Sequence, residues 1–102
     1  MIIPVVAAVL LDEHGRLLLA QRPEGKHLAG LWEFPGGKLE PYERPEQGLK
    51  REIAEELGIQ LHDSTPLLTL THHYDDRSVR LMLREVDSWD GCPIGLEGQQ
   101  LR

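Results

Sequence analysis

The sequence predicts an α+β domain, a mixed β-sheet with one amphipathic helix laid against it. Three stretches rich in Val, Ile, Leu and Thr, at 2–11, 66–74 and 78–86, suit a pleated, half-buried surface. Between them a single segment, Pro45 to Leu57, carries apolar residues at helical spacing: Leu49, Ile53 and Leu57 stand at i, i+4 and i+8. Strands grouped around one such helix define the α+β class.

The elements follow in chain order. Ile2 to Leu11 reads as a strand, with Pro4 tolerable near its start. Asp12-Glu-His-Gly15 is a turn signal and Arg16 to Gln21 a returning strand, so the two form a predicted β-hairpin. Arg22 to Gly30 is polar and reads as a loop. Leu31-Trp32-Glu33-Phe34 is a short strand ended by a Pro35-Gly36-Gly37 turn, with Lys38-Leu39 extended beyond it. Pro45 suits the first helical turn, where its missing N–H leaves no bond unmade, and Glu46 complements the helix dipole. Gly58 is the residue expected to stop the helix in a left-handed conformation. Pro66 to Tyr74 and Ser78 to Val86 are two strands joined at Asp75-Asp76-Arg77, and Asp87 to Gln100 is a loop.

The chain has 102 residues, enough for one domain with a modest core. Its net charge of -6 argues against binding polymeric DNA or RNA, which requires a basic surface. A small anionic substrate carried in with a divalent cation is compatible with that charge. The one cysteine, Cys92, excludes an intrachain disulfide and fits a reducing compartment. The longest apolar run, Val5 to Leu11, is too short to span a bilayer, and the N-terminus lacks a secretory signal pattern. The expected location is the cytoplasm, with no membrane partner.

The chemistry concentrates on the helix. Glu52, Glu55 and Glu56 stand at i, i+3 and i+4, within an arc of roughly 100°. Three carboxylates on one face repel unless a positive charge sits among them, and hard oxygens at that density suit Mg²⁺ or Mn²⁺. Acidic helix faces are also commonly just solvated, so the flanking residues decide. His72 and His73, adjacent on a strand, point to opposite faces and do not share a metal. Gly36-Gly37-Lys38 is not a P-loop, because no Ser or Thr follows the Lys.

The flanks are in register. Gly37, five residues, Glu43, seven residues, and then Arg51-Glu52-Ile53-Ala54-Glu55-Glu56-Leu57-Gly58-Ile59 match the Nudix box at all nine of its constrained positions. The runs Gln21-Arg22-Pro23, Gly30 to Lys38, Trp89-Asp90-Gly91 and Gly95 to Gln99 also resemble MutT-type members of the Nudix hydrolase family, so the resemblance covers Ile2 to Gln99.

That resemblance implies an α/β/α sandwich around a mixed sheet, with the box helix on one face. It implies hydrolysis of a nucleoside triphosphate to nucleoside monophosphate and pyrophosphate, with 8-oxo-dGTP, CTP and nucleotide sugars among the candidate substrates. A non-catalytic nucleotide-binding module on the same fold is the reading from another class, and such a module is expected to lose box carboxylates that this chain keeps. By similarity Glu52, Glu55, Glu56 and the Gly36 carbonyl are metal ligands, and Glu97 is a further ligand or the general base. Glu52 is favoured as the base. Arg51 is expected to pair with Glu43 and orient Glu52. Arg22 is expected at the substrate phosphates, with His27, Phe34 and Asp76 near the substrate.

The chain departs from the family in two places. Tyr42 stands where Gly is common in MutT-type sequences, and the sequence stops at Arg102, before the family's last strand and C-terminal helix. A C-terminally truncated single domain is therefore expected. Its uncovered sheet surface would invite a homodimer.

Overall fold

The computed structural model describes residues 1–21, 31–96 and 101. In chain order the elements are β1 (Ile2–Leu10), β2 (Ala20–Gln21), β3 (Trp32–Glu33), β4 (Gly36–Lys38), α1 (Pro45–Leu57), β5 (Gln60–Leu61), β6 (Thr65–His73), β7 (Ser78–Val86) and β8 (Trp89–Asp90). Four of the strands form one mixed sheet in the order β4-β1-β7-β6. β1 runs parallel to β7 and antiparallel to β4, and β6 is antiparallel to β7 at the sheet's edge. The described architecture is thus the expected mixed sheet with one helix.

Alternation along β1 sends Val6, Ala8 and Leu10 to one face, where they meet Leu49, Ile53 and Leu57 of α1, all essentially inaccessible to solvent. Val86, Ile59 and Leu61 close the same core. The stripe read at i, i+4 and i+8 is the docking face, and it fixes the helix against β1 and β4. The start of α1 uses Pro45 in the first turn, with the Arg44 N–H donating to the Gln47 side chain at 3.1 Å. Gly58 ends it at φ 70°, its N–H donating to the Ala54 carbonyl at 3.1 Å.

Three expectations need correction. The predicted hairpin of β1 with residues 16–21 forms only at its mouth, through a Leu11–Leu17 bridge and a Leu18 N–H donated to the Leu10 carbonyl. Beyond that point β2 pairs with β3, because β1 already has β4 and β7 as its neighbours. Secondly, Gly36-Gly37 is not a turn; both residues belong to β4, opposite Ala7 and Val6. Only a glycine fits at position 36, since a Cβ there would lie 2.0 Å from the Val6 carbonyl oxygen. Thirdly, the loop at 87–100 contains β8, which pairs with β5 as a small separate ladder. Two-residue strands carry no periodic signal, so neither could be read from sequence. Among the described residues no helix is long and apolar enough to cross a membrane.

Candidate active site

α1 presents its acidic edge beside β4, and the pieces meet on Arg51. The Arg51 guanidinium donates from Nε to Glu43 Oε2 at 2.8 Å and from Nη2 to Glu43 Oε1 at 3.0 Å, a two-pronged grip on one carboxylate. Nη1 donates to Glu52 Oε1 at 3.0 Å and reaches Glu55 at 3.3 Å, and Nη2 also donates to the Lys38 carbonyl at 3.1 Å. One cation therefore gathers three carboxylates and ties the helix to β4.

The Glu43 carboxylate is further fixed by the Glu40 N–H at 2.9 Å. Arg51 beside it, with help from that N–H, holds its carboxyl below the ordinary value of 4.5. The same bonds raise the Arg51 pKa, so its charge is permanent. Arg51, Glu43 and Glu52 are largely sheltered, whereas Glu55 is 55% exposed and opens to solvent.

Two glycines make this convergence possible. A Cβ on Gly37 would stand 2.5 Å from the Glu52 carboxylate, so the bare backbone of β4 is what lets Glu52 lie against it. Gly48, within the helix, leaves space for Leu39 and for Glu43 Oε1, which a Cβ would meet at 2.2 and 2.9 Å. A glycine inside a helix is the sequence signal for such a close approach, and Gly48 and the Lys38 carbonyl are the contributors that sequence reasoning missed.

Across the sheet from α1 lies a cleft of about 460 Å³, walled by Val5, Ala7, Leu81, Leu83, Trp32 and Phe34, with Gly36, Gly37 and Lys38 on its rim. Phe34 thus belongs to the cleft wall. β4 separates the cleft from the acidic helix, so an elongated ligand can lie in the one and reach the other. Asp76 sits in the β6–β7 turn, next to the end of β1 where Ser78 donates to the Met1 carbonyl. That is about 13 Å along β1 from the residue paired with Gly37, at ~3.3 Å per residue, so Asp76 does not converge with the carboxylates. Arg22, His27 and Glu97 lie outside the described residues. Leu96, the neighbour of Glu97, donates its N–H to the Glu56 carbonyl at 2.9 Å, which fixes Leu96 at the end of α1.

The donor set suits a hard divalent cation. Glu43, Glu52 and Glu55 bring three carboxylates around one guanidinium, and half-buried Glu56 lies on the same side of the helix. Among the described residues no three acidic or histidine side chains already stand in a closed metal cage. The carboxylates are instead turned onto Arg51.

Comparison with known proteins gives the family. The NUDIX domain family model matches residues 1–91. A CTP pyrophosphohydrolase of Escherichia coli strain K12 is 56% identical over 99 residues, covering 97% of this chain and 73% of that protein. An 8-oxo-dGTP diphosphatase of Proteus vulgaris is 46% identical over 85 residues, covering 83% of this chain and 76% of that protein. A solved structure from work on MutT of Aliivibrio salmonicida and Vibrio cholerae superposes with a TM-score of 0.82 at 36% identity, covering the whole of this chain and 78% of that one. With the family model spanning most of the sequence and relatives of this similarity, the chain belongs to the Nudix hydrolases, enzymes that hydrolyse acid anhydrides.

Proposed function

We propose that the protein hydrolyses nucleoside triphosphates to nucleoside monophosphate and pyrophosphate, using Mg²⁺ or Mn²⁺, with deoxynucleotides including 8-oxo-dGTP as substrates. In the cytoplasm this reaction would cleanse the nucleotide pool. The observation that carries the reading is the convergence of three carboxylates on Arg51, next to an apolar cleft of about 460 Å³. Glu52, Glu55 and Glu56 would hold the cation, with the Gly36 carbonyl and, by resemblance, Glu97 as further oxygen donors. Such an ion, when bound, would supply charge neutralisation at the phosphates and a more acidic water.

The chain's own residues do the rest. Arg51, gripped by Glu43, fixes the Glu52 carboxylate where it takes the proton from water. Phe34 and the apolar wall seat the nucleoside. Arg22 binds phosphate oxygens and His27 lies near the substrate, a reading supported by the resemblance alone. CTP is the second reading, favoured by the 56% identity to a CTP pyrophosphohydrolase.

A nucleotide panel tests both. Pyrophosphate release is measured with 8-oxo-dGTP, the ordinary dNTPs and CTP, with Mg²⁺ and with chelator. We expect Mg²⁺-dependent turnover that Glu52→Gln abolishes. The preferred base decides between the two substrates, and a folded protein that turns over none of them removes the catalytic reading.

A further inference from the structure

Holding a divalent cation on α1 requires a side chain to turn, and the contacts single out which one. Among the described residues no three acidic or histidine side chains already form a closed cage. Glu43, Glu52 and Glu55 point instead at the guanidinium of Arg51. The three grips are unequal. Glu43 accepts from Nε and Nη2 at 2.8 and 3.0 Å and from the Glu40 N–H at 2.9 Å, and its side chain is only 14% exposed. Glu52 accepts from Nη1 at 3.0 Å, is 17% exposed and lies against the bare backbone of Gly37. Glu55 meets the same Nη1 only at 3.3 and 3.4 Å, longer than the usual N–H···O distance of about 2.9–3.0 Å, and is 55% exposed.

We propose that Glu55 is the carboxylate that changes partner. Arg51 Nη1 holds it as a stand-in for the cation, and a divalent cation takes it over while the guanidinium stays on Glu43 and Glu52. The inference rests on the cation reading of the proposed function, and it adds which side chain moves and which stay.

Magnitudes favour this choice. An exposed ion pair one helical turn apart is worth only a factor of about 1.5 to 5 in an equilibrium, so releasing Glu55 costs little. Parting Arg51 from Glu43 would break a sheltered, two-pronged pair and leave a charge without its partner, at far greater cost. Nη2 is also committed to the Lys38 carbonyl on β4 at 3.1 Å, which keeps the guanidinium in place when Nη1 gives up a partner. Glu55 lies three residues on from Glu52 on the same helical face, so a turn of its own side chain brings its oxygens to a cation that Glu52 shares. The buried stripe of α1 is not involved, and the helix need not move.

NMR of the whole chain, without nucleotide, tests this by following the glutamate carboxyl carbons and the arginine Nε–H groups as Mg²⁺ is added to chelator-treated protein. The Glu55 carboxyl signal, identified by its loss in Glu55→Gln, should shift on addition. The Arg51 Nε–H signal, identified by its loss in Arg51→Lys, should hold its position, because its Glu43 partner is retained. A Glu55 signal that stays in place while other glutamate signals respond would overturn the proposal and leave the cation site standing. Loss or displacement of the Arg51 Nε–H signal on adding Mg²⁺ would overturn it too, since the guanidinium would then have moved. A protein in which no glutamate signal responds to Mg²⁺ removes the cation site itself, and this inference with it.

Discussion

Arg51 decides the site at the scale of single residues. Its planar fork serves Glu43, Glu52, Glu55 and the Lys38 carbonyl at once, a geometry that a lysine's point charge does not reproduce. Arg51→Lys should therefore cut turnover about 10- to 100-fold, the range for partners that orient a metal ligand, as read from initial rates of pyrophosphate release. Glu43 gives a pH signature. Its folded-state pKa is depressed, so its contribution to stability is fully present above its unfolded value near 4.5 and is lost as pH falls through the lower folded value. Melting curves of wild type and Glu43→Gln should differ at neutral pH and converge as pH falls from 4.5 through the lower folded value. Tyr42 is a third case. It sits at φ 67° with its ring fully exposed, a left-handed conformation that disfavours a side chain by about 1–2 kcal/mol. Glycine's extra unfolded-state entropy offsets part of that, so Tyr42→Gly should raise stability by up to about 1 kcal/mol, seen as a melting temperature a few degrees higher.

At the level of elements, β4 does the most with the fewest residues. It is a strand of three residues whose two glycines have different reasons to be bare. A methyl at Gly36 would strike the backbone of β1, which cannot give way. One at Gly37 would strike the end of the Glu52 side chain, which can. Gly36→Ala should therefore unfold or strongly destabilise the protein, by denaturant titration. Gly37→Ala should fold and lose most of its turnover, because Glu52 is pushed off the β4 backbone. The sequence alone treats the pair as one turn signal. Glycine is read as a turn because of its conformational freedom, whereas here it serves close approach within a sheet, and only the neighbouring strand reveals which applies.

For the molecule as a whole, the sheet separates two surfaces with different tasks. One face docks α1 and fixes its acidic edge, and the other offers the cleft walled by Leu81, Leu83 and Phe34. A cation that binds only the folded cluster stabilises the whole fold by mass action. Adding Mg²⁺ to chelator-treated protein should raise the melting temperature of wild type and should have a much smaller effect on Glu52→Gln, as followed by thermal denaturation without any substrate present.

How much of this could be read beforehand depends on the range of the interactions involved. The helix from Pro45 to Leu57, its left-handed end at Gly58 and the strand from Ser78 to Val86 were all legible, since they are written in local periodicity and capping chemistry. So was the family, because the box fixes its residues at set distances along one short stretch. The partners were not legible. That β1 lies parallel to β7, that the returning segment leaves β1 after Leu18, and that β5 meets β8 depend on pairings between segments far apart in sequence. The sequence by itself determined that Glu52, Glu55 and Glu56 share one helical face, in register with Glu43 and Arg51. Only the tertiary structure decided that Arg51 gathers them, that Gly37 gives Glu52 its place, and that Asp76 stands apart, because each of these rests on the distance between elements that no local pattern encodes.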